Sequence, residues 1–90
     1  MTSPSRYRQR KDLNQKDIVD TLESLGFDVI IMHSPTDLLG GRQGKNYLVE
    51  VKSGDKKKYT AAQLKFNASW RGQRVTLRSP EDAIQWASML

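Results

Sequence analysis

The chain has 90 residues and a mass of 10.3 kDa, below the usual domain size of about 100–150 residues, which predicts one domain and excludes a separate cofactor-binding half. With no cysteine and a single histidine, His33, it can build neither a thiolate zinc site nor a site of several imidazoles, so any metal must be held by oxygen. Fifteen Lys and Arg against ten Asp and Glu give a net charge of +5, a field that favours polyanions without separating DNA from RNA or an acidic membrane surface. No apolar run long enough to span a membrane and no signal-peptide core is present, which predicts a soluble, intracellular protein.

Residues 1–11 carry Arg6, Arg8, Arg10 and Lys11 with no acid, and read as a flexible basic arm ahead of a single domain over 12–90. Asp12 with Gln15 three positions on is a helix-start signature, and Ile18, Val19, Leu22 and Leu25 follow at helical spacing until Gly26 ends the run. Residues 27–33 form a β-branched run continuous enough to predict a strand covered on both faces. Ser34-Pro35-Thr36 breaks it, and 40–44, Gly-Gly-Arg-Gln-Gly, predicts a flexible turn, with room for one more short strand near 37–39. Over 46–52 the residues alternate, with Tyr47, Val49 and Val51 on one face and Leu48, Glu50 and Lys52 on the other. After a basic loop, Thr60 and Gln63 form a capping box that starts a helix running to about Trp70. A third alternating strand is predicted over 73–78. Ser79-Pro80-Glu81-Asp82 then caps a last helix with Ala83, Ile84, Ala87 and Leu90 on one stripe. The elements predict an α/β, α+β-type domain with a mixed sheet.

Asp37 follows the first strand and Glu50 lies thirteen positions on, enough for a tight hairpin that brings two carboxylates onto adjacent strands. Two acids converging in an apolar setting repel and are desolvated unless a hard divalent cation neutralises them. Magnesium meets that demand, because it takes oxygen ligands and keeps several waters. Lys52, on the same strand face as Glu50, would then activate a water or stabilise charge developing on a phosphoryl group. The set suits phosphodiester hydrolysis.

The string Pro35-Thr36-Asp37 with Glu50-Val51-Lys52 resembles the signature of the PD-(D/E)XK nuclease superfamily, and the element order resembles its restriction-endonuclease-like αβββαβ core with a C-terminal helix added. Gln15 to Phe27 and Leu48 to Gly54 are most similar to the small stand-alone VRR-NUC and Holliday-junction-resolvase-like branch, including phage-type members. The resemblance implies Mg²⁺, with Mn²⁺ as a substitute, held by Asp37, Glu50 and the carbonyl of Val51, with Lys52 as the catalytic cation and Gln63 facing it from the second core helix. Two positions depart from the pattern. Gln15 stands where resolvase-like relatives place a Glu, and Pro35-Thr36-Asp37 has one residue inserted or, equivalently, Thr36 in the place of the Pro.

Each of these residues also has a plainer role open to it. Asp37, Glu50 and Lys52 would otherwise be an exposed hairpin with a surface ion pair, Gln15 and Gln63 would serve as capping-box residues, and His33 would be a structural histidine. Lys56, Lys57 and Lys58 follow the Glu50-Val51-Lys52 strand and are expected to rim the same cleft and grip phosphates, with Arg42, Lys45, Arg8 and Arg10 as further DNA contacts. Trp70 and Trp86 are expected in the core or at a two-fold interface that also covers Met89. The expected function is a homodimeric, metal-dependent endodeoxyribonuclease selective for junctions, flaps or other branched DNA. Its rivals are a nuclease-fold module that binds branched DNA without cutting it and a small basic RNA-binding domain.

Overall fold

The computed structural model describes residues 10–53 and 58–90. In chain order it contains α1 (Arg10–Ser24), β1 (Asp28–Ile31), β2 (Leu38–Arg42), β3 (Lys45–Val51), α2 (Ala61–Ser69), β4 (Arg74–Leu77) and α3 (Pro80–Ser88). The strands form one mixed sheet in the order β1-β2-β3-β4, antiparallel except for the parallel β3–β4 pair that the α2 crossover connects. This is a mixed α/β domain whose element order is that of an αβββαβ core followed by one more helix.

One face of the sheet carries the core. Tyr47, Val49 and Val51 of β3, Leu38 of β2 and Leu77 of β4 are buried against Ile18 and Leu22 of α1 and Ala83 and Ala87 of α3. Phe27 completes this layer, stacked on Trp86 and edge-on to Tyr47. Trp86 therefore belongs to the chain's own core, while Ile84, Met89 and Leu90 remain exposed. α2 has no buried residue.

Helix ends follow their sequence signals. Gly26, at φ 92°, closes α1 with Phe27 N–H donating to the Leu22 carbonyl and Gly26 N–H to that of Glu23, the paired bonds of a Schellman end. Thr60 and Gln63 make the reciprocal capping box of α2, and the Ser79 hydroxyl accepts from Asp82 N–H ahead of Pro80 at the start of α3. α1 begins at Arg10 rather than at Asp12, so Arg10 and Lys11 belong to a helix and the expected arm is shorter by two residues. The rest of that arm lies outside the described residues.

Two strand expectations are corrected. β1 is an edge strand that is not covered on both faces: Val29 packs against the core, while Ile30 and Ile31, on opposite faces, are 59% and 64% exposed. His33, just beyond it, is exposed as well. Gly40 and Gly41 lie inside β2, not in a turn, and only Gln43 and Gly44 make the reversal, both with positive φ of 55° and 78°. Arg42 pairs with Lys45 across them, which is the geometry of a two-residue hairpin. Among the described residues no helix is long and apolar enough to cross a membrane.

Candidate active site

The β3 alternation turns Tyr47, Val49 and Val51 into the core and leaves Glu50 and Lys52 on the opposite, polar face. Both are nevertheless buried, Glu50 being 2% and Lys52 7% exposed, so the reading of an exposed surface ion pair does not describe them. The register that pairs Leu38 with Val49 sets Asp37 across from Glu50. Asp37 is held there from several directions. Its carbonyl accepts Met32 N–H at 2.7 Å, closing the β1–β2 loop, and the buried Thr36 hydroxyl donates to the Leu38 carbonyl at 3.1 Å. Its Oδ2 accepts the Val51 N–H at 2.8 Å, which ties the acid to the middle of the Glu50-Val51-Lys52 segment. Amide and carbonyl of one residue point the same way in a strand, so the Val51 carbonyl also faces the Asp37 side, past the last β2 partner.

The Lys52 ammonium donates to Gln63 Oε1 at 2.6 Å and to the Lys58 carbonyl at 3.3 Å, and lies 5.5 Å from the Tyr59 ring centroid. Gln63 serves two functions with one oxygen, since Oε1 also accepts Thr60 N–H at 2.9 Å. The capping role and the Lys-facing role expected for this residue thus coincide. Among the described residues, no carboxylate pairs with Lys52.

Glu50 has a different neighbour. Arg74 Nη2 stands 3.4 Å from Glu50 Oε1 and donates to Thr76 Oγ1 at 2.7 Å, while Thr76 shares a 2.5 Å hydrogen bond with the Tyr59 hydroxyl. The Arg74 Nε–H is buried without an acceptor, a loss of about 1–3 kcal/mol for a buried donor, so the guanidinium is held where it is despite that loss. Burial alone raises the Tyr59 phenol, but the Thr76 hydrogen bond and the Arg74 hydrogen bond and charge outweigh it and bring the group below its usual 10.0, against an opposing push from Glu50.

Gln15 is half-buried on α1, and among the described residues no hydrogen bond joins it to Asp37, Glu50 or Lys52. Its neighbour Asn14 makes the contact instead, with Nδ2 donating to the carbonyls of Lys52 at 3.3 Å and Arg78 at 2.9 Å, so that α1 joins the ends of β3 and β4. The expected DNA contacts divide. Lys58 is exposed next to the site; Lys56, Lys57 and Arg8 lie outside the described residues, and Arg10 opens α1. Lys45 is exposed at the hairpin tip, about 23 Å along β3 from Lys52 at the usual strand rise. Arg42 donates to the carbonyls of Leu25 at 3.2 Å and Ala87 at 3.3 Å and lies over the Phe27 ring, satisfying the C-terminal ends of α1 and α3. Trp70 is 42% exposed, stacked on Phe66.

Among the described residues no three His, Cys, Asp or Glu gather into a metal-binding group. The donor set offered by Asp37, Glu50 and the Val51 carbonyl is two carboxylates and one main-chain oxygen, a hard-oxygen set of the kind that suits Mg²⁺ with waters completing the shell. Asn14, Tyr59, Arg74 and Thr76 were not legible as site residues from spacing alone. Arg74 and Thr76 stand two apart on an alternating strand, a signal that they share a face. Comparison with family models, curated proteins and solved structures finds no match to this chain.

Proposed function

We propose that the chain is a Mg²⁺-dependent deoxyribonuclease that hydrolyses phosphodiester bonds, with Mn²⁺ as a substitute metal, acting inside the cell on branched DNA as a homodimer. The observation that carries this reading is the Asp37 carboxylate bonded to the Val51 amide, beside a buried Glu50 and a buried Lys52 fixed by Gln63. Asp37, Glu50 and the Val51 carbonyl would hold the cation. When bound, it supplies Lewis-acid charge for the phosphoryl group. Lys52 Nζ, held between the Gln63 and Lys58 oxygens, sets positive charge where the attacking and phosphoryl oxygens become more negative. Gln63 orients that ammonium, and Asn14 fixes the strand end that carries it. Lys58, exposed beside Lys52, supplies a phosphate contact. Exposed Ile30 and Ile31 on β1, Ile84 on α3, and Met89 and Leu90 just beyond it offer apolar surface to a second copy.

A second reading, a module that binds branched DNA without cutting it, is favoured by Arg74, which gives Glu50 a cationic partner from the chain itself. Labelled duplex, single-stranded, flap and four-way-junction DNA incubated with wild type and Lys52→Ala in Mg²⁺, Mn²⁺ or EDTA separates the two. The nuclease reading expects metal-dependent cutting that Lys52→Ala loses. Binding of branched DNA with no cutting under any metal would establish the second reading.

A further inference from the structure

The polar face of β4 carries a set of residues that metal ligation and the Lys52–Gln63 pair do not use. Tyr59 reaches Thr76, Thr76 accepts from Arg74, and Arg74 stands against Glu50 Oε1. The chain of contacts ends on Glu50, a carboxylate that is almost wholly buried. A carboxylate at this depth cannot take its orientation from water. Its rotamer is set by whatever donor faces it, and here that donor is a planar guanidinium whose Nη2 is shared between Glu50 and Thr76.

We infer that Arg74 is a positioning residue for Glu50, held in place by Thr76 and Tyr59, and that it fixes the carboxylate in the orientation a divalent cation requires. The inference rests on the nuclease reading, because it assigns Glu50 to metal binding. Arg74 itself touches neither the cation nor the substrate. It occupies one Glu50 oxygen from the β4 side, opposite the β2 side from which Asp37 approaches. Partners of this kind, hydrogen-bonded to a ligating side chain, change metal affinity or activity about 10–100-fold when removed. Lysine would keep the charge but lose the rigid guanidinium plane that holds Nη2 against both Glu50 and Thr76, so Arg74→Lys separates orientation from charge.

The test measures Mn²⁺ binding by electron paramagnetic resonance, and DNA binding in EDTA, for wild type, Arg74→Gln, Arg74→Lys, Thr76→Val and the Arg74→Gln/Thr76→Val double variant, with thermal unfolding as a check on folding. The expected result is about tenfold weaker Mn²⁺ binding in both Arg74 variants and a smaller loss in Thr76→Val. That smaller loss should vanish in the Arg74→Gln background, since Thr76 acts through Arg74. DNA binding in EDTA should not change. If Arg74→Gln unfolds, Arg74→Lys and Thr76→Val carry the test. Wild-type Mn²⁺ affinity in Arg74→Lys and Thr76→Val would overturn the positioning role and leave the nuclease reading intact. Weaker DNA binding with unchanged Mn²⁺ affinity would overturn it in favour of a phosphate grip. A wild type that neither binds Mn²⁺ nor cuts DNA would overturn the nuclease reading and this inference together.

Discussion

The two faces of the sheet differ in what holds them. On one, Tyr47, Val49 and Val51 meet two helices and bury a continuous apolar layer. On the other lie Glu50, Lys52, Arg74 and Thr76, and α2, a helix with no buried residue, is joined to that face by the Gln63–Lys52 bond and started by its capping box. Hydrophobic burial is non-directional and tolerant, so the first face supplies stability. Hydrogen bonds among buried polar groups are directional, so the second supplies geometry, at some expense of stability in the unpartnered Arg74 Nε–H. A single strand, β3, serves both faces because its side chains alternate.

That contrast can be broken from either side. The largest expected effect is on the apolar face, where Leu22→Ala removes a fully buried side chain and should destabilise by about 2–5 kcal/mol in urea unfolding. Leu64→Ala on exposed α2 should stay within about 0.5 kcal/mol, and a loss as large as that of Leu22→Ala would mean that α2 packs as α1 does. Next in size is Arg42→Ala, which removes the donor to the Leu25 carbonyl and one of the donors to that of Ala87 and should lower stability by about 1–2 kcal/mol while leaving DNA affinity nearly unchanged. A large drop in DNA affinity without a change in stability would return Arg42 to the expected phosphate contacts.

The smallest effect belongs to the polar face and to alkaline pH. Tyr59 has its phenol lowered in the folded state, so its ionisation contributes stability that is fully present above the unfolded value of about 10 and is lost as pH falls through the folded value. The stability difference between wild type and Tyr59→Phe should therefore widen as pH rises towards 10 from neutrality. Absorbance at 295 nm should find one phenol titrating early, and Arg74→Gln should move it back up.

Much of this architecture was legible in the sequence. Gly26, Thr60 with Gln63, and Ser79-Pro80 act through neighbours three or four positions away, and local chemistry of that range is what a sequence displays. The alternation over β3 likewise told which face Glu50 and Lys52 occupy. β1 was misjudged because a run of Val29-Ile30-Ile31 looks the same whether helices cover one face or two; the number of layers is set by the whole chain. Gly40 and Gly41 looked like a turn because glycine permits one, yet both lie inside β2, with Gly40 buried. Of the candidate site, Asp37, Glu50, Lys52 and Gln63 were marked by spacing, and the structure links Asp37 to Val51 and Lys52 to Gln63. Asn14, Arg74 and Thr76 were missed because they reach the motif from elements 24 to 38 residues away, where no local pattern operates.

The most direct test of the central claim is cleavage of a labelled four-way junction by wild type and Glu50→Gln in Mg²⁺ and in EDTA, with junction binding measured in parallel. Glu50→Gln removes the charge and keeps the shape. Cutting by wild type only in Mg²⁺, with no cutting by Glu50→Gln and binding retained, is the predicted result; cutting by Glu50→Gln at the wild-type rate would contradict the assignment of the site.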